Sequence, residues 1–234
     1  PVMIRLVTRL AHSRARIETR EATAELPLDP DRKHGDWILL PAFARRHWHE
    51  RLNQHNDIRA AAESSPFNTL EINPEHGEFG VITCGIAGNY FLENAAELDF
   101  VPSRLQIGSY PMPMEKIREI AEQVDHLLVI EEGYPYVERL VRGVLPTSVD
   151  VLGKQSGHLP PDGELTPDSV RWASGLPERH GIEKPKAPVV PRPPRLCAGC
   201  PHCDAYAALN KALSGFEHDL VTSDIGCYTL GLLP

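Results

Sequence analysis

The sequence predicts an α/β fold built on a mostly parallel sheet. Three observations carry that reading: short apolar runs recur along the middle of the chain, each is followed by turn and helix signals, and the runs are apolar at successive positions. A strand apolar at successive positions has to be covered on both faces. Short strands alternating with helices make βαβ units, whose right-handed crossovers place helices on both sides of the sheet. A three-layer arrangement follows.

The elements run in order. Val2–Thr8 reads as a strand, rich in β-branched residues, and passes into a charged stretch ending at Arg20. Residues 21–36 are polar and turn-rich. Pro41 to about Ser64 carries a helical pattern (Phe43, Trp48, Leu52, Ile58) that stops before Pro66. Asn68–Ile72 reads as a strand, and Phe79–Cys84 as a buried one that Gly85-Ile-Ala-Gly88 turns into a helix reaching about Glu97. Arg104–Ile107 and His126–Glu131 are further strands, with helices over Met114–Val124 and Glu138–Val144. Val81-Ile-Thr83 and Leu128-Val-Ile130 are expected to be neighbouring buried strands. Residues 145–168 form a loop punctuated by Gly and Pro. It ends in a helix start with Thr166 as N-cap and Pro167 at the first helical position.

Six prolines, Pro177, Pro185, Pro188, Pro191, Pro193 and Pro194, then predict a semi-rigid extended linker. Beyond it lie Leu196-Cys-Ala-Gly-Cys-Pro-His-Cys203, a helix over Asp204–Leu213, a strand at Leu220–Thr222 and a turn through Ser223–Gly231. The organisation is a connecting arm (1–66), an α/β domain (67–176), a linker (177–195) and a piece at 196–234 that looks truncated.

Composition narrows the class. The 234 residues are 41% apolar and 24% charged, with a mean hydropathy of −0.28, ordinary for a soluble globular protein. A net charge of −8 removes the bulk electrostatic case for binding nucleic acid. Runs such as His126–Ile130 fall far short of the roughly 20 apolar residues that span a membrane, and no secretory signal opens the chain. The chain has 22 prolines, nearly double the usual share of about 5%. It has five cysteines, an odd number, and four of them follow Leu196. Such clustering argues against a secreted disulfide framework and for a reducing compartment, the cytoplasm, with a local metal or cluster site.

Cys197, Cys200 and Cys203 are spaced C-x2-C-x2-C, so thiolates from one loop can reach one metal centre. The bacterial ferredoxin run would continue with a cysteine where Ala207 stands, and a four-cysteine zinc ribbon would need a second pair where only Cys227 remains. Iron–sulfur, zinc and simple packing of thiols all stay open at this point. A redox pair of the thioredoxin kind is disfavoured because no strand immediately precedes Cys197. Cys84-Gly-Ile-Ala-Gly88 sits at an anion-friendly helix start but lacks a G-x-G-x-x-G pattern, and tight strand–helix packing explains its glycines better. Glu131, Glu132 and Glu138 suit an acid/base pair or, more commonly, structural carboxylates. Arg9 and His12 are candidates to face a carboxylate.

Arg192-Pro-Pro-Arg-Leu-Cys-Ala-Gly-Cys-Pro-His202 together with Asp224-Ile-Gly-Cys-Tyr-Thr-Leu-Gly231 resembles the α subunit of indolepyruvate ferredoxin oxidoreductases, in the superfamily of thiamine diphosphate-dependent 2-oxoacid:ferredoxin oxidoreductases. Leu128–Glu138, Gly153-Lys154, Gly163–Asp168, Val81–Ala87 and Thr8–Ser13 extend the resemblance. It implies a transketolase C-terminal-like domain over 67–176, preceded by the tail of a pyrimidine-binding domain and followed by the start of a pyrophosphate domain. It also implies decarboxylation of an aryl 2-oxoacid, acyl transfer to coenzyme A, and electrons passed through iron–sulfur clusters to ferredoxin, with a β subunit as partner.

By position the resemblance assigns Cys197, Cys200 and Cys227 to a 4Fe-4S cluster. Asp224, Ile225, Gly226 and Tyr228 go to thiamine diphosphate. Cys203 stands where the family more often has a basic residue, either as a substitute ligand or an idle thiol. The family's Gly-Asp-Gly…Asn motif for Mg2+ and the diphosphate is absent from this sequence, so the chain reads as a fragment expected to be inactive alone. The cluster reading predicts that the sulfurs of Cys197, Cys200 and Cys227 converge to within roughly 7 Å and that Cys203 points away. The alternatives are another 2-oxoacid:ferredoxin oxidoreductase, or a non-catalytic α/β module with a structural zinc.

Overall fold

Strands β2 (Phe79–Cys84) and β4 (His126–Ile130) form the centre of a five-stranded sheet. They pair in parallel, with Val81 opposite Leu128 and Ile82 opposite Val129, as the doubly apolar runs predict. The computed structural model describes residues 3–25, 34–179, 181, 193–223 and 225–232. The chain divides into two compact units, Pro1–His180 and Gly181–Pro234.

In the first unit the order is β1-β3-β2-β4-β5, with β1 spanning Asn68–Glu71, β3 Ser103–Ile107 and β5 Asp150–Leu152. Only β1 runs antiparallel, as an edge strand on β3. After β2 the chain crosses to β3 on one side, then back over β2 to β4 and on to β5 on the other. Right-handed crossovers in opposite directions put their helices on opposite faces, and the two cores show it. Ile82, Leu127 and Val129 pack against Ile117 and Ile120 of α5 (Met114–Ala121) and Val137 and Val141 of α6 (Tyr136–Val144). Val81, Leu128 and Ile130 pack with Tyr90 and Phe91 of α4 (Ala87–Ala95) and Val170 of α7 (Pro167–Ala173). Successive residues of one strand feed opposite cores, and each fully buried aliphatic side chain contributes about 1.5–3 kcal/mol. Thr166 caps α7 as predicted: its side chain accepts from the Ser169 N–H, and the Ser169 hydroxyl accepts from the Thr166 N–H.

Several expected elements differ. Met3–Val7 is not a strand; it is followed by the short helix α1 (Thr8–His12), which buries nothing. Leu220–Thr222 is not a strand either, and Leu220 is 90% exposed. β-branched composition makes a strand only where a neighbouring edge accepts its ladder, and among the described residues neither segment has one. The single helix expected over 41–64 is two, α2 (Pro41–Asn53) and α3 (His55–Glu63), joined at Gln54. Helix α3 is tied to the sheet unit: Ala62 is buried, and the Glu115 N–H at the start of α5 donates to Glu63 Oε1. β5 lies inside the stretch expected to be loop. Most of the proline-rich linker lies outside the described residues, as does Asp224.

Candidate functional site

The second unit is built on helix α8 (Pro201–Leu213), entered through the cysteine loop. Cys197–Cys200 is a turn closed by the Cys200 N–H donating to the Cys197 carbonyl at 3.1 Å. Gly199 sits in it at φ +72°, the left-handed region a side chain rarely adopts. Cys200 is then the N-cap of α8 and Pro201 its first residue, where a missing N–H costs nothing. The Cys203 N–H donates to the Cys200 carbonyl at 3.0 Å, so a second turn follows directly on the first. Cys200 is half-buried with its Sγ 3.2 Å from His202 Nδ1, whereas Cys197, Cys203 and Cys227 are exposed.

The later motif returns to this helix start. Residues Cys227–Leu232 form a 3-10 helix whose Tyr228 ring meets the His202 ring edge-on at 4.4 Å. The Tyr206 hydroxyl donates to the Tyr228 carbonyl. A Cβ on Gly231 would lie 2.2 Å from the Tyr206 ring, so this glycine, rather than Gly226, is the one that close packing requires. A Cβ on Gly226 would meet no atom within 4 Å. Its N–H donates to Thr229 Oγ1 at 3.3 Å, and Ile225 beside it is 92% exposed. The return is therefore made by aromatic contacts between Tyr228 and the first turns of α8, without the strand the sequence suggested.

The donor types suit a thiophilic metal, but the arrangement holds too few of them together. Among the described residues no three His, Cys, Asp or Glu side chains are grouped to hold a metal ion, and Cys197, Cys200 and Cys227 do not form such a group.

In the first unit, the carboxyl ends of β3, β2 and β4 bring Tyr110, Cys84 and Glu131 to one edge, at the point where the crossovers reverse. Ligands favour such switch points in open α/β sheets. Burial is the main cause in all three groups. It pushes the Cys84 thiol up, with Glu131 adding to the effect; it raises Tyr110 to about 12; and it raises Glu131 against the pull of backbone amides. A thiol shifted upward is a poor nucleophile. Glu131 accepts from the Val137 and Glu138 N–H groups, both at 2.8 Å, so it satisfies the amino end of α6. Glu132 accepts from the Leu165 N–H, and Glu138 from Arg142 and the Gln155 N–H. All three carboxylates are thus engaged in structure. Arg9 is likewise engaged, paired with Glu164 at 2.9 Å, while His12 is exposed on α1. Of the motif's two glycines only Gly88 is closely packed, since a Cβ there would fall 2.0 Å from Gln106 Oε1. Gly85, with no atom within 4 Å of a Cβ, instead supplies a left-handed backbone at φ +56°.

Among the described residues no helix is long and apolar enough to cross a membrane. No protein-family model matches the chain. No solved structure matches it either. Curated proteins do. The indolepyruvate oxidoreductase subunit IorA of Methanothermobacter thermautotrophicus is 34% identical over 100% of this chain, which spans 40% of that protein. Its counterpart in Methanothermobacter marburgensis is 35% identical with the same coverage. That of Archaeoglobus fulgidus is 29% identical over 99% of the chain and 39% of its own length. From end to end the chain is similar to about two fifths of the length of each of these proteins named indolepyruvate oxidoreductase subunit IorA.

Proposed function

We propose that the chain serves an indolepyruvate:ferredoxin oxidoreductase. The reaction takes an aryl 2-oxoacid and coenzyme A to an aryl-acyl-CoA and carbon dioxide, with two electrons delivered singly to ferredoxin and a β subunit completing the enzyme. The observation that carries this reading is the end-to-end similarity to proteins named for indolepyruvate. The same reading assigns Cys197, Cys200 and Cys227 to a 4Fe-4S cluster. Asp224, Ile225, Gly226 and Tyr228 would contact thiamine diphosphate, whose Mg2+ would be held outside these residues. Soft thiolate donors and the return of Tyr228 to the start of α8 support that assignment. A cluster accepts electrons one at a time, chemistry that side chains lack.

What the chain itself supplies is a scaffold. The sheet unit closes two cores, and α8 presents the cysteine loop at its amino end. Anaerobic purification of the chain followed by iron, acid-labile sulfide and zinc analysis tests the metal assignment. Iron with sulfide supports it, and zinc alone overturns it in favour of a structural zinc. Indolepyruvate- and coenzyme A-dependent reduction of a viologen dye is expected from the chain's whole protein with its partner subunit and absent from these 234 residues alone. Dye reduction by the chain alone contradicts the partial-enzyme reading.

A further inference from the structure

Cys200 is shared by two consecutive turns, and the second of them ends at another cysteine, Cys203. A turn closed by a bond from residue i to i+3 holds its end Cα atoms within about 7 Å, the span that a disulfide bridges. Both Cys197–Cys200 and Cys200–Cys203 are closed in this way, at 3.1 and 3.0 Å. They differ in direction. Cys203 is the third residue of α8, and in a helix the Cα–Cβ bond tilts toward the amino end, so its side chain leans back over the turn that Cys200 begins. Cys203 is exposed and meets reagents from solution, while the contact with His202 holds the half-buried Cys200 at the helix start.

We infer that Cys200 and Cys203 are an exchangeable dithiol, closed to an intramolecular disulfide by low-molecular-weight disulfides. Cys203 attacks one sulfur of an external disulfide; that S–S bond breaks and one small thiol leaves. Cys200 then attacks the Cys203 sulfur and expels the second small thiol. The two cysteines together lose two protons and two electrons, and one external disulfide becomes two thiols. In the disulfide Cys200 offers no thiolate, so oxidation would remove one donor from the metal assignment proposed above and reduction would restore it.

The test uses the whole chain, reduced and stripped of metal with a chelator, so that it reads the thiols whether or not the site takes a cluster. After incubation with glutathione disulfide, unmodified thiols are counted and bound glutathione is read by mass spectrometry. In wild type and Cys197→Ser, Cys200 and Cys203 are each expected to lose their thiol to a mutual disulfide and to retain no glutathione, as read on their own peptide, with dithiothreitol restoring both. Glutathione on the exposed Cys197 or Cys227 is scored separately. Cys203→Ser is expected to form no internal disulfide and to retain its thiols or carry bound glutathione. Both substitutions fall at exposed positions, and circular dichroism checks that each variant keeps its helices. Loss of two thiols in Cys203→Ser, with none lost in Cys197→Ser, assigns the exchange to Cys197–Cys200 and overturns the inference. So does stable glutathione on Cys200 or Cys203 of the wild type, or no thiol loss at either.

Discussion

A single buried amide ties three segments of the first unit together. Asn68, 1% exposed, accepts at Oδ1 from the Gly108 and Ser109 N–H groups and donates from Nδ2 to the Ala62 and Ser109 carbonyls, at 2.9 to 3.0 Å. Its hydrogen-bonding capacity is fully used. Asn68→Ala strands two amides and two carbonyls, and a loss of about 2–4 kcal/mol is expected in urea unfolding. Asn68→Asp keeps both acceptors but sets a carboxylate against two carbonyls, so its deficit should grow from acid to neutral pH. Little in the sequence marked this residue. It read as the first position of a strand, and the one signal available was that Asn is depleted in strands unless its amide has work to do. Glu138 is another buried side chain with several partners. A Cβ on Gly153 would lie 2.7 Å from its carboxyl carbon, and that carboxylate is fixed by Arg142 and the Gln155 N–H. Since Glu138 is 1% exposed and held on two sides, Gly153→Ala should cost about 1–3 kcal/mol by overpacking. A wild-type melting temperature in that variant contradicts this.

At the scale of elements, the legible parts of the sequence are those whose neighbours are fixed by composition. β2 and β4 were readable because apolar residues on both faces admit only a covered central strand. β5, three residues long, offers too little pattern to separate from its loop. In the second unit the spacing of Cys197 and Cys200 was plain, but the contact of Tyr228 with His202 joins residues distant in sequence and left no periodic trace. The joint between α4 and α7 was equally silent. Arg171, 5% exposed at α7, pairs with Glu97 at 2.8 Å, and Arg179 pairs with the same carboxylate at 2.6 Å. Hydrogen bonds first from Arg171 and then from Arg179 lower Glu97 to about 2. A carboxylate depressed in the folded state stabilises it above its ordinary value near 4.5, and that stabilisation is lost as pH falls toward 2. Glu97→Gln should therefore lower the melting temperature at neutral pH and flatten its decline between about pH 5 and pH 2. A variant whose decline parallels wild type would show that the pair does not couple to folding.

Over the whole molecule, burial is distributed unequally between the two units. In the first, two cores close on opposite faces of the sheet, and Val81, Ile82, Leu127, Leu128, Val129 and Ile130 are fully buried. In the second, no described residue is buried: α8 buries none of its side chains, and Phe216, Leu220 and Ile225 are 69%, 90% and 92% exposed. Apolar burial is the dominant favourable term in folding, and amides open locally where few apolar contacts hold them. Hydrogen exchange on the whole chain should therefore separate the two units by protection. The central amides of β2 and β4 should exchange slowest, at the rate of global unfolding. Those of α8 and of Cys227–Leu232 should exchange faster by about two orders of magnitude or more, since an opening free energy lower by about 3 kcal/mol corresponds to that factor. Binding of any group that bridges α8 and the Cys227 turn should slow α8 selectively and leave β2 and β4 unchanged, because a ligand stabilises the unit it joins. Protection of α8 equal to that of β4 in the unliganded chain would mean that the second unit is held by burial which its described residues do not provide.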